Sequence, residues 1–200
     1  MWQIDERMMT FVTADAILDR FRRAGALLEG HFRLTSGLHS PGYLQCALVL
    51  QYPQHAEALG RAIADRTREL RPTVVLSPAL GGLVIGHEVA RALGVRAIFC
   101  ERQDGALTLR RGFSLASDDR VVVIEDVVTT GGSTRETLAV ATAAGATVVG
   151  AGAIVDRSGG APGLDVPFRA LMTLTLPTYP PESCPLCLAG EPIIKPGSRK

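Results

Sequence analysis

The run Val121-Val-Val-Ile124 leads directly into two acids, Glu125 and Asp126, and then into Val127-Val-Thr-Thr-Gly-Gly-Ser133. A β-branched run with no polar alternation suits a strand buried on both faces, and such strands belong to parallel sheets covered by helices. The glycines, threonines and serine after it mark a tight turn opening a helix, predicted from about Thr134 to Ala144. Ser133 and Glu136 have capping-box spacing, which supports a helix start there. Similar alternation runs through the chain. Thr73-Val-Val-Leu-Ser77 predicts a strand that ends in Pro78-Ala79-Leu80-Gly81-Gly82, followed by a helix over Leu83–Leu93 and a strand over Ala97–Cys100. Thr147–Val155 and Ala170–Leu176 read as further strands. Thr13 is the predicted N-cap of a first helix carrying Ile17, Leu18 and Phe21, and His55–Leu70 reads as a second helix. Ser36-Gly37 and Ser40-Pro41-Gly42 read as turns around a short extended segment, residues 101–119 as a long loop or hairpin, and the proline-rich stretch after Pro177 as irregular. The fold class is therefore α/β, a central and mostly parallel sheet flanked by helices.

With 46% apolar and 20% charged residues over 200 positions, the chain can bury one sizeable core and is not disordered. A single domain over residues 1–200 is expected. A formal net charge of +1 gives no electrostatic case for a nucleic-acid or membrane-surface partner. The uncharged stretch Thr137–Val155 approaches bilayer-spanning length, but Gly145, Gly150 and Gly152 interrupt it, so it reads as a helix followed by a buried strand. The first twelve residues lack a basic region followed by an apolar one, which makes a cytoplasmic location with reduced thiols the expectation. The only lysines are Lys195 and Lys200, so lysine-dependent chemistry in the body of the chain is excluded, and with it a P-loop.

Ligands of open α/β sheets bind beyond the carboxyl ends of strands. There, the loop from Val127 to Ser133 offers backbone N–H groups, hydroxyls and a helix N-terminus to a phosphate. Glu125 and Asp126 beside it are acceptors for sugar hydroxyls. Together they describe a ribose-phosphate site. The stretch resembles the phosphoribosyl-diphosphate (PRPP) signature of type I phosphoribosyltransferases. That resemblance implies that Glu125 and Asp126 hold the ribose hydroxyls, that Val127, Val128, Thr129, Thr130, Gly131, Gly132 and Ser133 hold the 5′-phosphate, and that Asp126 stabilises positive charge on the ribose. It also implies the family's fold, with residues of about 1–45 and 178–200 forming a small hood and tail.

Three further stretches resemble the orotate phosphoribosyltransferases. Gly30-His-Phe-Arg-Leu-Thr-Ser-Gly-Leu-His-Ser-Pro41, followed by Tyr43, is similar to the segment that lies over the pyrimidine. Ala153-Ile-Val-Asp-Arg-Ser-Gly-Gly160 is similar to a strand end whose arginine contacts orotate, a role that falls on Arg157 with Thr129 as companion. Independently of any relative, an arginine at a strand end can fork onto a planar carboxylate. Ser77-Pro-Ala-Leu-Gly-Gly82 matches the pyrophosphate loop, here Ala79, Leu80 and Gly81. The resemblance further implies Mg²⁺ held mainly through PRPP, a homodimer whose loops complete the neighbouring site, and transfer of the phosphoribosyl group to orotate. Relatives often carry lysines where this chain has Thr35 and Gly81, and a longer basic loop where it has Glu101–Gly112. Arg102 is the cation assigned to PRPP and the leaving pyrophosphate, while Arg110 and Arg111 are expected to brace the loop or pair with Asp118 and Asp119. A purine or xanthine phosphoribosyltransferase and a non-catalytic PRPP-sensing regulator are the rival readings.

Cys184-Pro-Leu-Cys187 has redox-pair or half zinc-site spacing, yet no paired histidines are evident beside it, so it reads as structural thiols. His87 reads as packed on an apolar helix, His39 as a candidate ligand contact, and Cys46 and Cys100 as buried small residues. Trp2, Met8 and Met9 read as a loose N-terminus.

Overall fold

The computed structural model describes residues 13–34 and 36–195. Trp2, Met8, Met9 and Thr35 lie outside them. Helix α1 (Ala14–Arg23) opens where expected, the Thr13 hydroxyl accepting the Ala16 N–H at 3.2 Å. The next elements depart from the sequence reading. Strands β1 (Leu27–Arg33) and β2 (His39–Leu44) form an antiparallel hairpin, so Ser40-Pro41-Gly42 lies within a strand and is not a turn. The register shifts between Glu29 and Phe32, and Pro41 falls opposite that irregularity, where its missing N–H breaks no ladder bond.

Helices α2 (Cys46–Leu50) and α3 (Pro53–Thr67) follow, and a 3₁₀ turn carries the chain to Leu70. Strand β3 (Val74–Pro78), helix α4 (Gly82–Leu93) and strand β4 (Arg96–Gln103) lie within a few residues of their predicted limits. Strand β5 (Ala106–Leu109) pairs antiparallel with β4, which resolves the loop-or-hairpin alternative as a hairpin. Strand β6 (Arg120–Val128), helix α5 (Gly132–Ala143), β7 (Thr147–Asp156) and β8 (Phe168–Thr173) complete the sheet. The long uncharged stretch is thus divided between α5 and β7. No helix among the described residues is long and apolar enough to cross a membrane.

The strand order is β5-β4-β3-β6-β7-β8, all parallel except β5. From β3 the chain winds through α4 to β4 on one side; from β6 it winds through α5 to β7 on the other. The direction of winding therefore reverses between β3 and β6, and the crevice at that switch point is where such folds bind ligands. Side chains along β6 alternate between two cores. Val122 and Ile124 pack with α3 and α4 residues such as Ile63 and Ile85, whereas Val121 and Val123 face Ala141 of α5. Past β8 the tail returns along the hairpin: His39 and Tyr179 exchange backbone hydrogen bonds at 2.8 Å each, and Ile194 bonds both Arg33 and His31. A short helix, α6 (Pro185–Leu188), lies within that tail.

Candidate active site

Alternation along β6 also divides the two acids. Glu125 continues the Val121–Val123 face, and the hydroxyl of buried Thr134 on α5 donates to its Oε2. Asp126 continues the other face, its Oδ1 accepting the Val127 N–H at 2.9 Å. Burial pushes Glu125 up to about 7, with Asp126 adding to the rise and the Thr134 hydroxyl opposing it. Asp126 is raised as well, chiefly by burial, against hydrogen bonds from Val127 and the Cys46 thiol. Two desolvated carboxylates at a crevice are poised to accept hydroxyl protons or to meet a cationic centre.

The loop after them lines a cleft of about 250 Å³ together with Glu125 and Glu136. Its shape depends on Gly131, which sits in the left-handed region at φ +73° as the N-cap of α5. A Cβ there would stand 2.3 Å from the Pro162 carbonyl oxygen. The expected capping box does not form. The helix begins at Gly132, so Ser133 is already inside it, and the Glu136 carboxylate is engaged by Arg102 at 2.9 Å. The Arg135 guanidinium, which sequence reasoning passed over, donates to the carbonyls of Thr130 (2.8 Å) and Pro162 (3.0 Å) and ties the loop to the 158–167 segment. An exposed helical arginine carries no sequence signal for that work.

Three strand ends converge on Asp126. A Cβ on Gly81 of the β3–α4 loop would lie 2.7 Å from its Oδ1, so the Ala79-Leu80-Gly81 turn abuts the acid directly. From α2, the Cys46 thiol meets the same carboxylate; burial first and Asp126 second push this thiol well up, so Cys46 is more than a filler of space. Tyr43 of β2 and Arg157 beyond β7 complete the group. Burial and the negative field of Asp126 raise Tyr43, with Arg157 opposing, and burial lowers Arg157. The Arg157 Nε is buried without a hydrogen-bond partner among the described residues, an arrangement that a ligand acceptor would relieve. Its neighbour Asp156 is buried and binds Ser158 at 2.6–2.7 Å, so the two do not form a surface pair.

Other expectations fall elsewhere. Arg102 stands at the rim of the cleft through Glu136. Arg111 takes the bracing role of the two expected for it, holding the 101–112 hairpin by a double hydrogen bond to Glu101 (2.7 and 2.8 Å), while Asp119 is taken by Arg96. His87 is exposed on α4, not packed. His39 is buried away from the crevice, against His31 and the two tail cysteines.

A doubly wound sheet with a phosphate-type loop and an acid pair at its switch point defines an enzyme class that handles ribose phosphates. Comparison with known proteins specifies it. The phosphoribosyl transferase domain matches residues 48–169. The orotate phosphoribosyltransferase of Pelotomaculum thermopropionicum is 53% identical over 94% of this chain and all of its own length, and that of Heliobacterium modesticaldum is 55% identical over the same shares. Among solved structures, the orotate phosphoribosyltransferase of Aeropyrum pernix superposes with a TM-score of 0.64 at 27% identity, covering 79% of this chain and 93% of that one. The chain belongs to the orotate phosphoribosyltransferase family.

Proposed function

We propose that the chain transfers the 5-phosphoribosyl group of PRPP to orotate, giving orotidine 5′-monophosphate and pyrophosphate in pyrimidine biosynthesis. The observation that carries this is the convergence at one sheet edge of the acid pair, the small-residue loop and Arg157, whose buried Nε has no partner among the described residues, beside Tyr43. In this reading the 5′-phosphate rests on the N–H groups and hydroxyls from Val127 to Ser133, and Glu125 with Asp126 accepts the ribose hydroxyls. Orotate lies between Tyr43 and Thr129 with its carboxylate forked by Arg157. As pyrophosphate departs past Ala79, Leu80 and Gly81, Asp126 stabilises the positive charge left on the ribose. Arg102, held at the cleft rim by Glu136, is the cation for the leaving pyrophosphate.

Glu125 and Asp126 offer carboxylate oxygens to the crevice, and among the described residues no cluster of three ligating side chains stands there. That suits Mg²⁺, which favours one or two carboxylates plus substrate oxygens over an all-protein cage. When bound through PRPP it supplies charge neutralisation to the pyrophosphate. A homodimer is part of the proposal: the β3–α4 loop and α4 present exposed Leu80 and Val84 beside an apolar groove of about 400 Å³ that includes Leu83, His87, Ala97 and Phe99.

Purified protein supplied with PRPP and Mg²⁺, and separately with orotate, adenine, hypoxanthine or xanthine, tests the assignment. Product is expected with orotate alone. A preference for any purine would transfer the reading to the rival branch, and no turnover with any base, alongside tight PRPP binding, would favour a sensor.

A further inference from the structure

The hairpin and the returning tail bring together four side chains that the active site does not use. His31 Nε2 and His39 Nδ1 lie 2.9 Å apart. The Cys187 sulfur is 3.7 Å from His31 Nε2 and 3.3 Å from His39 Nδ1, and the Cys184 sulfur is 3.6 Å from His31 Nε2. All four ligating atoms fall within 4.8 Å of one another, and it is the sole cluster of metal-ligating residues among the described residues. His31, His39 and Cys184 are buried, Cys187 is partly so, and neither cysteine is in a disulfide.

A tetrahedral ion with bonds of about 2.3 Å to sulfur and about 2.05 Å to nitrogen separates each sulfur from each nitrogen by about 3.6 Å, within the 3.3–3.7 Å observed between them. The outer contacts agree. His31 Nδ1 lies 2.8 Å from the Glu191 carbonyl oxygen, so that nitrogen carries the proton and Nε2 is left with its lone pair toward the cluster. Cys184 and Cys187 flank the first turn of α6, whose i, i+3 spacing turns both sulfurs to one side.

We propose that His31, His39, Cys184 and Cys187 bind one zinc ion as a structural centre that fastens the tail to the β1–β2 hairpin. Two thiolates and two imidazoles are the donor set that selects zinc over magnesium or calcium. Binding releases two thiol protons to solvent, and Zn²⁺ with two thiolates and two neutral imidazoles carries no net charge, which suits a buried position. The centre joins residues 153 positions apart in the chain, and β2 beyond it carries Tyr43 into the active site. It is separate from the Mg²⁺ that accompanies the substrate.

The test uses the whole chain, expressed without a polyhistidine tag in zinc-replete medium. Elemental analysis after gel filtration is expected to give about one zinc per chain. Replacement by Co²⁺ should produce the intense visible ligand-field bands of tetrahedral coordination together with thiolate-to-cobalt charge transfer. Cys187→Ser and His39→Asn should each lower bound zinc at least about tenfold. Should these variants fail to fold, the wild-type stoichiometry and cobalt spectrum decide alone. Folded wild-type protein that holds less than about a tenth of an equivalent of zinc after reconstitution, gives an octahedral cobalt spectrum, or shows a Cys184–Cys187 disulfide when freshly purified would overturn the proposal.

Discussion

Replacing Glu125 by glutamine should stabilise the ligand-free chain, and more so as pH rises. Burial lifts this acid from 4.5 to about 7 in the folded state. Between those values the folded chain retains a proton that the unfolded chain has released, so this group's contribution to stability falls as pH increases. The full gap corresponds to about 3.5 kcal/mol at about 1.4 kcal/mol per unit, of which about 2.5 kcal/mol develops between about pH 5 and about pH 8. Glutamine does not titrate, and its carbonyl oxygen still accepts the Thr134 hydroxyl, so Glu125→Gln removes the pH-dependent cost while keeping the contact. Urea unfolding of both proteins at the two pH values isolates the effect, because other titrating groups largely cancel in the difference. The variant's advantage should be about 2.5 kcal/mol larger at the higher pH. PRPP should meanwhile bind about tenfold more weakly or worse, since a charged acceptor for a ribose hydroxyl is gone. An advantage equal at both pH values would refute the claim that desolvation loads this acid.

Asp126→Asn should fold normally and slow the chemical step by roughly 10²-fold or more, read in single-turnover assays; wild-type turnover would remove Asp126 from the chemistry. Arg157→Ala should weaken orotate binding by about 2–5 kcal/mol while largely sparing PRPP, measured by titration calorimetry with each ligand. Gly131→Ala forces a left-handed residue with its Cβ 2.3 Å from a backbone oxygen, and should cost more than about 2 kcal/mol in thermal or urea unfolding and weaken PRPP binding with it.

The sheet was legible because its strands announce themselves. Val121–Ile124 and Val74–Leu76 are fully buried β-branched and apolar runs, and nothing but a covered parallel sheet accommodates them. The acid pair and its loop were legible because they are contiguous with one of those strands. The β1–β2 hairpin was hidden by its own composition. Leu27-Leu-Glu-Gly-His-Phe-Arg33 holds no β-branched residue, and the turn-forming Ser40-Pro41-Gly42 occupies a strand at a bulge. The capping box misled because a glycine in the left-handed region can begin a helix without any side-chain cap, which places the start earlier than the Ser133–Glu136 spacing suggests. Contacts formed over long separations left no local pattern: Cys46 against Asp126, Arg135 against Pro162, and the meeting of His31 and His39 with Cys184 and Cys187. Paired histidines were in fact present, but the cysteines they join lie at the other end of the chain.

The central claim is that one sheet edge holds phosphate, ribose and base at three separate groups of residues. A crystal structure of the chain with Mg²⁺, orotate and a non-reactive PRPP analogue tests it most directly. The 5′-phosphate is predicted within the Thr129–Ser133 loop, the ribose hydroxyls on Glu125 and Asp126, and the orotate carboxylate on Arg157 with Tyr43 alongside. Orotate bound away from Arg157, or a sugar phosphate seated elsewhere than that loop, would contradict the account.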